Sequence, residues 1–356
     1  VRRYLAVLLL VGCFFIIEGY SQEETTVQQS AYDEVYYSTK SGDNYFDDIR
    51  VALDKVASGG TVYIEKQLDL TKRLVIEKPV HIKFLSPEYI KAPQNISIFY
   101  LSPSRKIQSF SVEGMQLKGV GITGIDGWAE KIAVKNSNFE NCIPIKMNDV
   151  WGDYRADFIN CTFINSDLSV NPSKCTLELG LYDSHFSAST QNPKYILLKN
   201  NTLYAEGNTF HRMTILVELN GTAVGAFSKN TFTGNDGRIT ISGNAKGLLF
   251  RKNNFLKVMT PMIKNGTGDT LDFKENWWGN RKGPKPGTME GKVDSSRWAL
   301  FDNFSRFAED PYTLEDLREA CARIEDVWKG DSWLYDLDEN EEIDLLDVFM
   351  ILRMIR

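Results

Sequence analysis

The stretch "FSKNTFTGNDGRITISGNAKGLLFRKNNF", residues 227–255, contains one phrase twice, as "FSKNTF" and "FRKNNF". Working outward, the phrase recurs upstream as "AEGNTF", "LYDSHF", "FINCTF", "VKNSNF" and "VEGMQL", and downstream as "FKENWW". The last residues are Leu117, Phe139, Phe163, Phe186, Phe210, Phe232, Phe255 and Trp278, at intervals of 22 to 24 residues. A fixed period of this length is the signature of a repeat architecture. Five residues before each of these lies a second apolar column: Val112, Val134, Phe158, Leu181, Ala205, Phe227, Phe250 and Phe273. Two residues before each of the seven aromatic ends lies a small or amide column: Ser137, Cys161, Ser184, Asn208, Asn230, Asn253 and Asn276.

The intervening segments are short, rich in β-formers and broken by Asn and Gly, as in "TILVELNGTAVGAF" (214–227). No helical stripe falls between them, which excludes βαβ units and a leucine-rich horseshoe. The pattern predicts an all-β fold, a right-handed parallel β-helix of about nine to ten coils. Coils stack at about 4.8 Å, so nine or ten make a rod of roughly 45 Å. The aromatic columns are expected to stack inside. The amide column is expected at a turn, in left-handed backbone, bonding to its neighbour one coil away.

Upstream, "FDDIRVALDKVASGGTVYIE" (46–65) has apolar residues at helical spacing from Phe46 to Val56. "SGG" is expected to end that helix, and "TVYIE" to begin a strand. A helix over the open end of a solenoid covers an edge that would otherwise pair with other chains.

"SGGTVYI" after an amphipathic helix, the repeated N-x-F and the closing "ENWWGNRKGP" (275–284) resemble secreted right-handed β-helix proteins of the pectate-lyase-like, carbohydrate-binding and sugar-hydrolysis group. The resemblance covers about residues 44–300. It implies a fold that hosts lyases, hydrolases, epimerases and pure binders, so activity has to be read from the side chains.

Those side chains carry no hydrolase or lyase string. Glycoside hydrolysis needs two carboxyl groups flanking one bond. The exposed acids legible on the coils, Asp183, Glu206, Asp236 and Glu275, fall in different columns or far apart. A lyase needs charge near the substrate carboxylate and a base for the C5 proton. Basic residues gather on the later coils, with Lys229 and Lys252 in one column and Arg251 beside them. They are either an anion-binding strip for polysaccharide or a solvated edge that keeps the rod soluble. Trp278 holds the inward register and is expected to plug the last coil. Trp277 faces outward and could stack on a sugar ring.

The N-terminus, "VRRYLAVLLLVGCFFIIEGYSQEE", has two arginines, an apolar run from Tyr4 to Ile17 and small residues before Gln22. It reads as a secretory signal peptide over 1–21, its apolar run short for a membrane span. An uncleaved anchor and lipidation at Cys13 are the alternatives. Export permits disulfides among Cys142, Cys161, Cys175 and Cys321, though the spacing fixes no pairing. Sequons at Asn95, Asn160, Asn200, Asn220, Asn265 and Asn303 fit a surface glycoprotein.

The chain carries a net charge of −6. Residues 311–356 hold thirteen Asp/Glu and five Lys/Arg, a balance of −8, which leaves +2 for the rest. An acidic tail on a near-neutral body argues for cation binding and against nucleic acid. "TLEDLREACARIEDVW" (313–328) opens on Thr313 with Asp316 three residues on, a capping box ahead of an amphipathic helix. Then comes "DLDENEEIDLLD" (336–347). Asp336, Asp338 and Asn340 stand at positions 1, 3 and 5 of a calcium loop, Glu342 at 7, Asp344 at 9 and Asp347 at 12. Six oxygens at this spacing suit Ca2+. Ile343, at position 8, is the apolar residue expected to pin the loop to the body.

The loop and the helix after it resemble one calcium half-site of a dockerin module. That implies Asp336, Asp338, Asn340 and Asp347 as ligands, with Glu342 and Asp344 beside them, and a cohesin-type protein as partner. Glu341 departs from the pattern: it replaces the loop glycine, where left-handed backbone costs an ordinary residue roughly 1 kcal/mol. The expected organisation is a signal peptide (1–21), a polar linker (22–43), the β-helix with its caps (44–300), a linker (301–312) and the dockerin-like module (313–356). The expected function is carbohydrate recognition at or outside the cell surface. A polysaccharide lyase or glycosidase acting on acidic polysaccharide, and a structural surface protein without a sugar ligand, are the two alternatives.

Overall fold

A computed structural model describes residues 31–147, 153–170, 176–189, 195–199, 201–219, 224–234, 237–243, 247–257, 261–300, 302–305, 307, 308, 310, 313–322 and 343–355. The signal-peptide reading therefore lies outside the described residues, as do Cys175 and Asp336, Asp338, Asn340 and Glu342 of the loop. Among the described residues no helix is long and apolar enough to cross a membrane.

The chain winds into a parallel β-helix of about 10 turns. Its strands form four sheets of 13, 7, 4 and 6 strands, and successive coils pair in parallel within each sheet. The 13-stranded sheet runs the length of the rod. The 4-stranded sheet serves the early coils and the 6-stranded sheet the later ones.

The repeat columns are the core. Phe139, Phe163, Phe186, Phe210, Phe232 and Phe255 stack face to face at centroid spacings of 4.3 to 5.2 Å. Trp278 closes the stack 4.4 Å from Phe255 and is buried, the inward register expected for it. A second stack joins Phe227, Phe250 and Phe273 at 4.3 and 4.2 Å. Each ring of this size removes 150 Å² or more from water, and offset stacking adds to that gain.

The amide column is also internal, which corrects its expected place in left-handed backbone. Asn208, Asn230, Asn253 and Asn276 are buried. Each of the last three accepts from the backbone N–H and the side-chain amide of the asparagine one coil earlier, at 2.8 to 3.0 Å. Each donates to a carbonyl in the coil before, as Asn253 does to Phe227 O at 2.9 Å. Ser184 and Ser137 continue the ladder with hydroxyls, accepting from Cys161 N and Met115 N. Left-handed backbone falls one residue earlier, at Asn136, Asn160, Asp183, Gly207, Lys229, Lys252 and Glu275, with φ between 48° and 72°. The tight turn thus sits at the rod's edge, and the amide behind it points into the core to satisfy backbone groups that bending strips of partners.

At the N-terminal end, helix α1 (Ile49–Lys55) is shorter than the Phe46–Val56 pattern and starts on Asp48, whose side chain accepts from Arg50 N at 2.8 Å. "SGG" does not end it. The chain passes directly into the strand Val56–Ile64, which contains those three residues. Gly60 is needed there because a Cβ would meet Asp33 O at 2.6 Å. Asp33 belongs to the strand Tyr32–Tyr37, which pairs with Val56–Ile64 across a register shift. The stretch read as a polar linker over 22–43 therefore contains a strand of the long sheet.

Near the C-terminus, helix α2 (Leu314–Ala322) and helix α3 (Leu345–Met354) pack around Ala320, Ile343 and Ile351. The Thr313 box forms: its hydroxyl accepts from Asp316 N, and Asp316 accepts from Thr313 N at 2.6 Å.

Candidate functional site

Because the inner columns are uniform, chemistry has to come from the outward positions. In the 13-stranded sheet one outward row follows the rod through pairing register: Tyr45, Tyr36, Tyr63, Lys83, Glu113, Lys135, Ile159, Tyr182, Glu206, Ser228 and Arg251. The first three stack at 4.8 and 4.9 Å as a partly exposed aromatic strip.

Half-way along, charges gather about Tyr182. Arg155 donates to Asp157 at 2.7 Å and to Glu178 one coil on at 2.5 Å. Gly180 has no side chain, which lets Asp157 and the Tyr182 ring close over it. A Cβ there would lie 2.2 Å from Asp157 Oδ1 and 2.4 Å from the Tyr182 ring. Asp157 Oδ1 is buried with no hydrogen-bond partner among the described residues. Burial raises the Tyr182 hydroxyl pKa, and Asp157, Glu178 and Glu206 push it the same way. The hydrogen bond to Asp157 raises the Arg155 pKa further, so the guanidinium is a fixed cation. Beside this group Lys229 bonds Glu206 at 2.7 Å, and that bond raises the lysine pKa. The result is a wall of fixed donors and acceptors around a tyrosine ring. It can hold hydroxyl-rich ligands and offers no neutral amine base.

Comparison of the chain with protein-family models, curated proteins and solved structures returns no match. Function therefore rests on these side chains.

The structure brings together only part of the basic strip. Lys229 and Lys252 are one coil apart, with Lys229 N donating to Lys252 O at 2.9 Å. Lys229 is neutralised by Glu206, and Arg251 by Asp272 of the following coil. Trp277 is half-buried in the outward register, bridged to Asn254 in the 7-stranded sheet. It therefore stands on a different sheet from Arg251, which lies in the 13-stranded one. Sequence reading missed Arg155, Asp157, Glu178 and Tyr182. The available signal was period-two alternation within Asp153–Ile159 and Thr176–Tyr182, which assigns these residues outward.

Of the calcium-loop residues, Asp344 and Asp347 are described. Asp344 is the N-cap of α3, accepting from Leu346 N at 2.6 Å. Asp347 is fully buried and accepts from Asp344 N at 3.0 Å. Ile343 is buried in the α2–α3 contact. No group of three metal-ligating side chains is present among the described residues. Cys142 and Cys161 are buried free thiols, their pKa values pushed up by burial to about 12 and about 11. Cys161 fills the ladder column, its thiol donating to Val134 O at 3.5 Å and Ile159 O at 3.4 Å.

Proposed function

We propose that this is a carbohydrate-recognition rod that binds glycan along the outward row of its 13-stranded sheet. The observation that carries the reading is the group around Tyr182. There a ring, an arginine and three carboxylates stand together on the outer face, with Asp157 and the ring closed over Gly180. Pyranose rings present apolar faces to aromatics and hydroxyls to charged acceptors, so this mix suits them. Recognition fits better than lyase chemistry because Lys229 and Arg251 are ion-paired, and Lys229 is held in its protonated form.

The reading extends to the C-terminal stretch. Asp344 capping α3 and Asp347 three residues on occupy the turn that a calcium loop uses at positions 9 and 12. On this reading the loop takes Ca2+ and docks the exported protein to a cohesin-type partner at the cell surface. A glycan array probed with the full chain tests the first part. Binding to at least one polysaccharide class is expected, and silence from a folded protein sinks it. Calorimetry of the full chain with calcium tests the second. Heat is expected from the natural sequence and none from an Asp336→Ala, Asp338→Ala variant. No binding at millimolar calcium refutes the loop.

A further inference from the structure

A cleft of about 500 Å³ lies between α1 and the strand Leu74–Ile76, far in sequence from the Tyr182 group. It is within the range of ligand-binding clefts, roughly 300–1,000 Å³. The strand is the last of its sheet: the 4-stranded order ends on it, and its one partner among the described residues is Ser97–Leu101. Ile76 O accepts from Ser102 N at 2.9 Å, on the partner side. Main-chain groups alternate sides along a strand, so the N–H and C=O of Val75 point away from the partner, into the cleft. The Val75 side chain is 47% exposed. An open edge of this kind accepts an added strand.

The charge around that edge selects the strand. Arg50, Arg73, Lys78 and Arg105 line the cleft against two acids, Asp54 and Glu77. Lys78 is already spent on the C-terminal turn of α1, donating to Asp54 O at 2.9 Å and Val56 O at 2.5 Å. Arg50 donates to Lys72 O at 3.3 Å, which ties the helix to the chain two residues before the strand. Arg73 is exposed and its guanidinium lies over the Tyr100 ring, 3.8 Å from the centroid. Held guanidiniums beside an open strand edge fit a carboxylate-bearing backbone.

We infer that the cleft between α1 and Leu74–Ile76 is a docking site for an extended acidic peptide of a partner protein. The peptide adds as a strand to Val75 and places its carboxylates against Arg73 and Arg105. The probe is an acetylated, amidated hexapeptide of alternating Glu and Val, titrated into the full chain by calorimetry. Binding is expected, weakening with salt, and about tenfold weaker for Arg73→Gln, Arg105→Gln, both exposed positions. The same peptide N-methylated on alternate amides is expected to lose binding, and Val75 N–H to gain hydrogen-exchange protection with the unmodified one. Three results overturn the inference: no binding at millimolar peptide, equal binding by the Lys/Val counterpart, or full binding by the N-methylated form. Binding of uronate oligosaccharide in place of the peptide also overturns it, since that needs the cations and not the strand. None of these outcomes depends on Tyr182, so the inference and the glycan reading fail separately.

Discussion

Two faces of the same strands are built on opposite rules. Inside the rod each column keeps one character, and over its later coils one residue type, phenylalanine on phenylalanine and asparagine on asparagine, because like side chains stack, at 4.2 to 5.2 Å between rings, or bond in register. Outside, one row changes from tyrosine to lysine, glutamate, isoleucine and arginine over the same coils. The inner rule comes from close packing and buried polar groups that must be satisfied. The outer row is free of both, so its variation is where a ligand can be specified. Periodic residues hold this protein up, and aperiodic ones on the same strands are the candidates for function.

The contrast breaks first at the ladder. Asn253→Ala strands the backbone and amide donors of Asn230 and the carbonyl of Phe227, all buried. A loss of roughly 3–9 kcal/mol is expected, at about 1–3 kcal/mol for each orphaned group. Phe232→Ala opens a cavity between Phe210 and Phe255 and is expected to cost about 3–5 kcal/mol. Denaturant melts check both. Repeat rods need not unfold in one step, so hydrogen exchange across neighbouring coils should accompany them. A cost below 1 kcal/mol for either would mean the columns are not what holds the coils together.

The turn column sharpens the comparison in the other direction. Lys252 sits at φ 55°, where Asn136 and Asn160 serve earlier coils. Asparagine tolerates left-handed backbone better than lysine. Lys252→Asn is therefore expected to stabilise the rod by about 0.5–1 kcal/mol, read as a shift in melting midpoint.

The smallest effect belongs to His185, on the outward side of the 7-stranded sheet. Partial burial lowers its pKa, and the nearby His211 adds to the shift. The unfolded chain then binds the proton more readily than the folded one. Stability should fall as pH drops through the unfolded value near 6.5 and level off below the folded one. Melts of the His185→Gln variant should be flatter than the natural protein's across that window.

How much of this was legible follows from the same contrast. Eight phrases with constant intervals exposed the rod, the inward Trp278 and the stacked phenylalanines, because each is repeated. The ladder asparagines were legible as a column and misplaced by one residue. Asn and left-handed backbone go together so often that the buried amide was assigned the φ of Asn136 or Lys252 before it. "SGG" read as a helix stop because glycine commonly ends helices. Here Gly60 serves the close approach of Asp33, a contact set by a strand nearly thirty residues upstream. Arg155, Asp157, Glu178 and Tyr182 stayed hidden because no neighbouring coil repeats them. The basic strip was visible as composition, but its partners Glu206 and Asp272 lie a coil away and emerge only through register.

The central claim is that the inner columns carry the fold while the outer row around Tyr182 carries recognition. Affinity electrophoresis through gels containing a panel of polysaccharides measures this directly, with the natural chain, Tyr182→Ala and Arg155→Gln run side by side. The prediction is retardation of the natural chain in at least one gel, weakened roughly tenfold in both variants at unchanged circular dichroism. Retardation that survives both substitutions, or none in any gel, contradicts it.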